Sequence, residues 1–415
     1  MSLETRLSRL RAQAGADTPV TTEKLPLSSL RERLAQLESR DRGAAVKGSR
    51  IKGSDPKTGS DPFIQDPFIL AGRFGGECIA EGVIRIRERL PLAGTLGSVA
   101  LSALQETPRL PGETGSNRRH VYLDTETTGL SGGSGTLAFL VGVAVVDTDA
   151  LEVTQWLITR FAAEATALSA FADTLTSTDR LVSYNGKSYD LPLLSSRFRL
   201  QGLQPAFEKL PHLDLLHPVR RLFAKRWDDC RLLSVENRLL GFRRLDDLPG
   251  SEAPAAWFRY LREGQPEPLI QVVEHNRQDI LSLAVAHAAL AQAVEQPAAF
   301  DVDLPALARW LSDSDEARAR ALLQRHAATL CDDGQRLLAQ LLRRAGHWPQ
   351  AVAVWETLAA RGCKESIERL AKYHEHISKD LAAAKRCCDR LPLTPAILQR
   401  RQRLEGKIKA IRQGW

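Results

Sequence analysis

Asp124 and Glu126 stand two residues apart where the apolar run Val121-Tyr122-Leu123 ends, just before a Ser/Gly-rich stretch from Gly129 to Gly135. On a strand, residues i and i+2 point to the same face, so the two carboxylates project together from a strand end. Placed that way they repel unless a cation lies between them, and ligation by oxygen alone suits Mg²⁺ or Mn²⁺. Asp-x-Glu is a weak signal by itself. It gains weight only if further acidic groups follow in order.

Two further elements do follow. In Tyr184-Asn185-Gly186-Lys187-Ser188-Tyr189-Asp190-Leu191-Pro192 a strand ends and Asn-Gly turns the chain. Asp190 then occupies a helix start, with Pro192 in the first turn. Alone, it reads as a helix-capping aspartate. In Glu274-His275-Asn276-Arg277-Gln278-Asp279, His275 and Asp279 are i,i+4 on a helix and share one face. Alone, they read as a surface hydrogen bond. The ordered set outweighs both readings, because four carboxylates at one spot require cations. Two divalent ions, roughly 3.5–4 Å apart, would clamp an in-line phosphoryl displacement. His275 would accept the proton of the attacking water.

The order Asp-x-Glu, Asp, His-x3-Asp resembles the DEDD 3′–5′ exonucleases of the RNase H-like superfamily. Asn185 with Tyr189-Asp190 is similar to the proofreading domains of family B DNA polymerases. A closer resemblance is to the YprB-type bacterial exonuclease-like family. It rests on Asp124-Thr125-Glu126-Thr127-Thr128-Gly129-Leu130, on His212-Leu213-Asp214-Leu215-Leu216-His217-Pro218, on Asp246-Asp247-Leu248-Pro249-Gly250 and on Glu274 to Asp279. The segment Asp66 to Arg73 and the helical C-terminal region also fit that arrangement.

The resemblance implies Asp124, Glu126, Asp190 and Asp279 as ligands of two Mg²⁺ or Mn²⁺ ions, His275 as general base, and single-stranded nucleic-acid ends as substrate, DNA ahead of RNA. It places Thr127, Thr128, Leu130 and Asn185 near the terminal nucleotide. One departure stands out. Histidine-using exonucleases place that residue five before the last Asp and the tyrosine branch four, and here a histidine holds the tyrosine spacing.

The expected fold class is α/β, an RNase H-like mixed sheet followed by an all-α helical domain. Residues 1–62 read as a flexible extension and linker, with one amphipathic helix over Leu25 to Leu37 and Gly-Ser-Asp-Pro occurring twice. Residues 63–117 form a small accessory segment packing on the nuclease domain at 118–292. Within that domain strands fall at Val121–Leu123, Leu137–Val146, Glu152–Thr159 and Leu181–Tyr184. Helices fall at Ala163–Leu175, Asp190–Leu200 and near 232–240, 255–263 and 267–291. Residues 300–415 are helical. Ala351 and Ala384, 33 residues apart, lie near the tetratricopeptide period, and a generic helical bundle fits equally well.

Three basic or polar groupings remain. His212 and Asp214 read as structural groups at a strand end. Arg220, Arg221, Lys225 and Arg226, interleaved with Phe223 and Trp227, fit either a strand-tracking face or a core pair with solvated arginines, the second preferred. Arg400, Arg401, Arg403, Lys407, Lys409 and Arg412 would contact phosphates or simply face solvent.

The chain has 415 residues, 43% of them hydrophobic and 26% charged, with a formal charge of +7. Six cysteines show no CxxC pair or zinc spacing and read as reduced thiols. With no long apolar run and no leader pattern, the expectation is a cytoplasmic protein away from membranes. The alternatives are an RNA exonuclease, a structure-selective endonuclease, or a non-catalytic scaffold that binds a protein partner through its helical domain.

Overall fold

A computed structural model describes residues 66–113, 118–129, 135–245 and 247–413. The expected helix at Leu25–Leu37, the linker and Leu130 lie outside the described residues.

After a short helix α1 (Pro67–Arg73) come strands β1 (Gly76–Ala80) and β2 (Val83–Pro91), and a two-stranded ribbon, β3 (Thr95–Leu96) with β4 (Val99–Ala100). Next are β5 (Arg119–Thr127), β6 (Ala138–Asp147), β7 (Ala150–Ile158), α2 (Glu164–Ala172), β8 (Asp179–Ser183), α3 (Asp190–Leu200) and β9 (His212–Asp214). They are followed by α4 (Leu216–Phe223), α5 (Leu232–Val235), α6 (Ala253–Glu263) and the long α7 (Glu267–Glu295).

The main sheet has seven strands in the order β1-β2-β7-β6-β5-β8-β9. β5 is antiparallel to β6 and parallel to β8, and β8 is parallel to β9. The accessory segment expected against the nuclease domain contributes two strands, β1 and β2, to the same sheet. β2 pairs with β7 along its full nine residues, from Val83 opposite Ile158 to Pro91 opposite Ala150. Such a pairing is set by register between distant strands, which local patterning does not reveal. β9 is likewise a strand only because β8 lies beside it.

β5 alternates between two cores. Val121 and Leu123 pack with Phe139, Trp156, Phe198 and the start of α7. Tyr122 packs with Val182, Phe223 and the Ile280–Val294 stretch of α7. Each fully buried large side chain contributes about 1.5–3 kcal/mol, so the strand that carries the acidic pair is held on both faces.

The second core runs on into helices α8 (Leu304–Ser312), α9 (Glu316–Arg325), α10 (Asp332–Arg344), α11 (Trp348–Ala360), α12 (Lys364–His376), α13 (Leu381–Asp389) and α14 (Pro395–Arg412). Successive members pack as helical pairs, and Ala351 and Ala384 are both fully buried at the packing faces. Arg400, Arg403 and Lys407 lie on one face of α14 and all reach the fully buried carboxylate of Glu375. That convergence holds Glu375 down at about 2. Arg401 pairs with Asp389. Most of the C-terminal basic cluster therefore fastens its own helix. Among the described residues no helix is long and apolar enough to cross a membrane.

Candidate active site

Asp124 and Glu126 sit near the carboxyl end of β5, past its pairing with parallel β8, which runs from Arg119 to Tyr122. In open α/β sheets ligands bind outside the carboxyl ends of the strands. Asp124 is opposite Gly142 of β6. A Cβ at Gly142 would stand 2.2 Å from Asn276 Oδ1 and 2.3 Å from Ile280 Cδ1. Glycine there lets α7 lie close against the sheet. That approach brings Asn276, His275 and Asp279 to the strand end.

Asn276 is fully buried and donates to Asp124 Oδ2 at 2.7 Å. Its own carbonyl accepts from Gln155 Nε2 at 2.8 Å, and the same Gln155 amide reaches the Val273 carbonyl at 2.8 Å. Asp190 is the first residue of α3, one past the N-cap position at Tyr189. Its carboxylate accepts from Thr125 Oγ1, between the two acids of β5. The turn before it is fixed by buried Asp214, which accepts from the amides of Asn185 at 2.7 Å and Lys187 at 3.1 Å. Asn185 has φ +66°, a conformation that asparagine tolerates better than most residues.

His275 Nε2 is 3.6 Å from Asp279 Oδ2 and 3.9 Å from Glu126 Oε1. Its Nδ1 is 2.7 Å from Asp247 Oδ1. Arg244 binds Asp247 Oδ2 at 3.0 Å, buried Glu236 at 2.6 and 2.8 Å, and Asp279. Between the 242–248 loop and α7 lies a cavity of about 180 Å³, lined by Phe242, Leu245, Leu248, Gln271, His275 and Gln278.

The electrostatics record the crowding. Burial, then the charges of Asp279, Asp190 and Glu126, push the Asp124 carboxyl well above its ordinary range. Burial, then Asp279, Asp190 and Asp247, do the same to Glu126, with Arg244 opposing. Asp190 rises to about 6, mainly through burial. Desolvation and like charge both favour the protonated forms, and a divalent cation would reverse that preference. An all-oxygen donor set of this kind fits Mg²⁺ or Mn²⁺. Among the described residues no three acidic or imidazole groups stand ready as a metal cage.

The structure thus brings together Asp124, Glu126, Asp190, His275 and Asp279. Thr127 and Thr128 lie beside them, but their hydroxyls serve the local loop. Thr127 donates to the Gly129 carbonyl at 3.0 Å, and Thr128 accepts from the Leu137 amide at 2.9 Å. Asn185 is held through its backbone at the turn. Sequence reasoning assigned no role to Gln155, Glu236, Arg244, Asp247 or Asn276. The Asp246-Asp247-Leu248-Pro249-Gly250 stretch was the available signal for Asp247. The aromatic-basic face does not join the site. Phe223 is buried and stacks on Trp227 at 4.3 Å, Arg221 lies over Trp310, and Lys225 and Arg226 pair with Asp303 and Asp301.

The RNase H superfamily description matches residues 121–290, from β5 through most of α7. The uncharacterized protein YprB of Bacillus subtilis (strain 168) is 31% identical over 350 residues, which cover 78% of this chain and 82% of that protein. The chain belongs to the YprB family. Among solved structures, the family B DNA polymerase of the hyperthermophilic archaeon Pyrobaculum calidifontis aligns at a TM-score of 0.34 and 15% identity. That alignment covers 63% of this chain and 34% of the polymerase chain. In this YprB-family protein the RNase H-like domain supports a nucleic-acid-cleaving role, and nucleases of that superfamily generally use divalent metal ions.

Proposed function

We propose that this YprB-family protein is a divalent-metal-dependent 3′–5′ exonuclease acting on single-stranded nucleic acid, DNA ahead of RNA. The observation that supports it most is the gathering of Asp124, Glu126, Asp190 and Asp279 with His275 at one strand end. Asp124, Glu126, Asp190 and Asp279 are the residues that would hold Mg²⁺ or Mn²⁺. When bound, two such ions supply Lewis acidity, favouring ionisation of a water and stabilising the leaving 3′ oxygen.

The protein's own groups do the rest. Asn276, braced by Gln155, fixes the rotamer of Asp124, and Thr125 fixes that of Asp190. His275 Nε2 accepts the proton of the attacking water, a step worth roughly 10²–10⁴-fold. The terminal nucleotide lies against the loop beginning at Thr127 and Thr128, and the turn at Asn185 bounds the other side. The cavity beside His275 extends the site along α7. A tetratricopeptide-like reading of the C-terminal helices, with a protein partner on them, is part of the same proposal. The buried equivalence of Ala351 and Ala384 supports it.

The test is digestion of 3′- and 5′-labelled single strands of DNA and RNA with Mg²⁺ or Mn²⁺, comparing wild type with Asp124→Ala. Stepwise loss from the 3′ end, absent in the variant, is the expected result. Internal cuts would make it an endonuclease, and no cleavage by folded protein would favour the scaffold.

A further inference from the structure

The two nitrogens of His275 have different surroundings. Nδ1 lies 2.7 Å from Asp247 Oδ1. Nε2 faces Asp279 Oδ2 at 3.6 Å and Glu126 Oε1 at 3.9 Å, both beyond hydrogen-bond length. A carboxylate only accepts, so the Asp247 contact requires the proton on Nδ1, and in the neutral imidazole the lone pair is then on Nε2. Arg244 Nη1 is also 3.3 Å from Nδ1. A guanidinium only donates, so the two contacts make opposite demands on that nitrogen. The shorter, charge-assisted contact to Asp247 decides, and Arg244 Nη1 already has Asp247 Oδ2 as its acceptor at 3.0 Å.

Asp247 is itself anchored. Arg244 is 8% exposed and its Nε and Nη2 grip Glu236, whose side chain is fully buried. Glu236 opens a wide helical turn, Glu236–Leu240, which Gly241 ends at φ +65°. That positive φ sends the chain back so that Arg244 reaches its own turn. A buried ion pair gains little net stability, because desolvation offsets the attraction. Its consequence here is geometric: the carboxylate of Asp247 is fixed relative to α7.

We propose that Asp247 is a positioning residue for the nuclease reaction, anchored by the Arg244–Glu236 pair. It holds His275 as the Nδ1–H tautomer with Nε2 turned toward Glu126 and Asp279. The inference rests on the proposed hydrolysis and adds the element that prepares its base. A water oxygen bonds to phosphorus, its proton passes to Nε2, and the phosphorus–O3′ bond breaks with its electron pair leaving on O3′. The imidazolium that results has its Nδ1–H directed at the Asp247 carboxylate, which stabilises it. This explains how a histidine at the tyrosine spacing serves as base: a partner from outside the helix sets its tautomer.

The experiment is a double-mutant cycle on the full chain, with a labelled single strand and Mn²⁺. Asp247→Asn should lower kcat by roughly 10²-fold or more, with KM and the calorimetric Mn²⁺ affinity within about threefold of wild type. In a His275→Ala background the same substitution should cost less than about twofold, because residues acting as a unit are not additive. An equal loss in both backgrounds would overturn the proposal. So would a loss that appears only in KM or in Mn²⁺ affinity.

A second readout needs no activity. Histidine-selective ¹⁵N spectra of the metal-free chain, taken where the His275 ring is neutral and assigned with His275→Ala, should show its proton on Nδ1 and the lone pair on Nε2. The opposite tautomer would overturn the proposal. Absence of cleavage by wild type would sink the nuclease reading and this role with it. The spectra separate a wrong reaction from a wrong tautomer.

Discussion

Asn276 donates to Asp124 Oδ2 at 2.7 Å and accepts from Gln155 at 2.8 Å, so a buried amide chain ties the first acidic residue of β5 to β7 through α7. Removing the middle of that chain takes the buried donor from Asp124, at about 1–3 kcal/mol, while Gln155 keeps the Val273 carbonyl. Asn276→Leu should lower the melting temperature and weaken Mn²⁺ binding by about 10–100-fold, as loss of a partner behind a ligand generally does. Calorimetry with Mn²⁺ checks this, and unchanged affinity would show that Asp124 needs no brace.

Gly142→Ala places a methyl 2.2 Å from Asn276 Oδ1 and 2.3 Å from Ile280 Cδ1. Overpacking of this kind costs about 1–3 kcal/mol, and α7 must shift away from β6. Activity should fall by at least tenfold, alongside a lower urea midpoint. Gly346→Ala, with open space at its Cβ but a positive φ of +77°, is the control. It should cost stability without touching activity.

Asp190 carries a pH signature. Its carboxyl holds a proton up to about 6 in the fold, against an ordinary value of 3.8. A raised acid stabilises the fold below its unfolded value, and that contribution is lost as pH rises through the folded one. Between about pH 4 and 6 the metal-free wild type should therefore lose stability relative to Asp190→Asn, by roughly 3 kcal/mol at most. Melting temperatures of the two proteins in EDTA, taken across that range, give the answer. A constant difference would contradict the burial of this carboxyl.

Three histidines, His120 and His287 buried and His212 half-buried, work in the opposite sense. Burial lowers His120 and His212 to about 4 and pushes His287 well below its ordinary value. Among the described residues His120 Nδ1 and His287 Nε2 have no hydrogen-bond partner. With neutral imidazoles in the fold, this contribution is complete above about pH 6.5 and is lost as pH falls toward 4, where only the unfolded chain takes up protons. His120→Phe should flatten that acid limb of the melting profile. An unaltered limb would mean that His120 does not set it.

The acidic pair, Asp190, His275 and Asp279 were legible because each follows a local rule: period two on a strand, a helix start after Asn-Gly, and i,i+4 on a helix. Their braces were not. Gln155, Asn276 and Gly142 meet only when β6, β7 and α7 are stacked, and Asn276 reads in the sequence as an ordinary polar helix residue. Arg244 was lost among the chain's many arginines, since its partners Glu236 and Asp279 lie 8 and 35 positions away. The ion pairs of the basic C-terminal face were hidden for the same reason. Glu375, which gathers three of its cations, precedes them by 25 to 32 residues. The tandem β1–β2 segment reads as an appendage until its register with β7 is known.

The most direct measurement is a time course of a 5′-labelled single-stranded DNA with the full-length protein and Mn²⁺, alongside Asp124→Asn and Asp279→Asn. A ladder that shortens from the 3′ end with wild type, vanishes with EDTA and falls at least about 10³-fold in either variant is the predicted result. Equal degradation by wild type and both variants, or none by any folded protein with DNA or RNA, would contradict the assignment of the four-carboxylate cluster as a metal-dependent nuclease site.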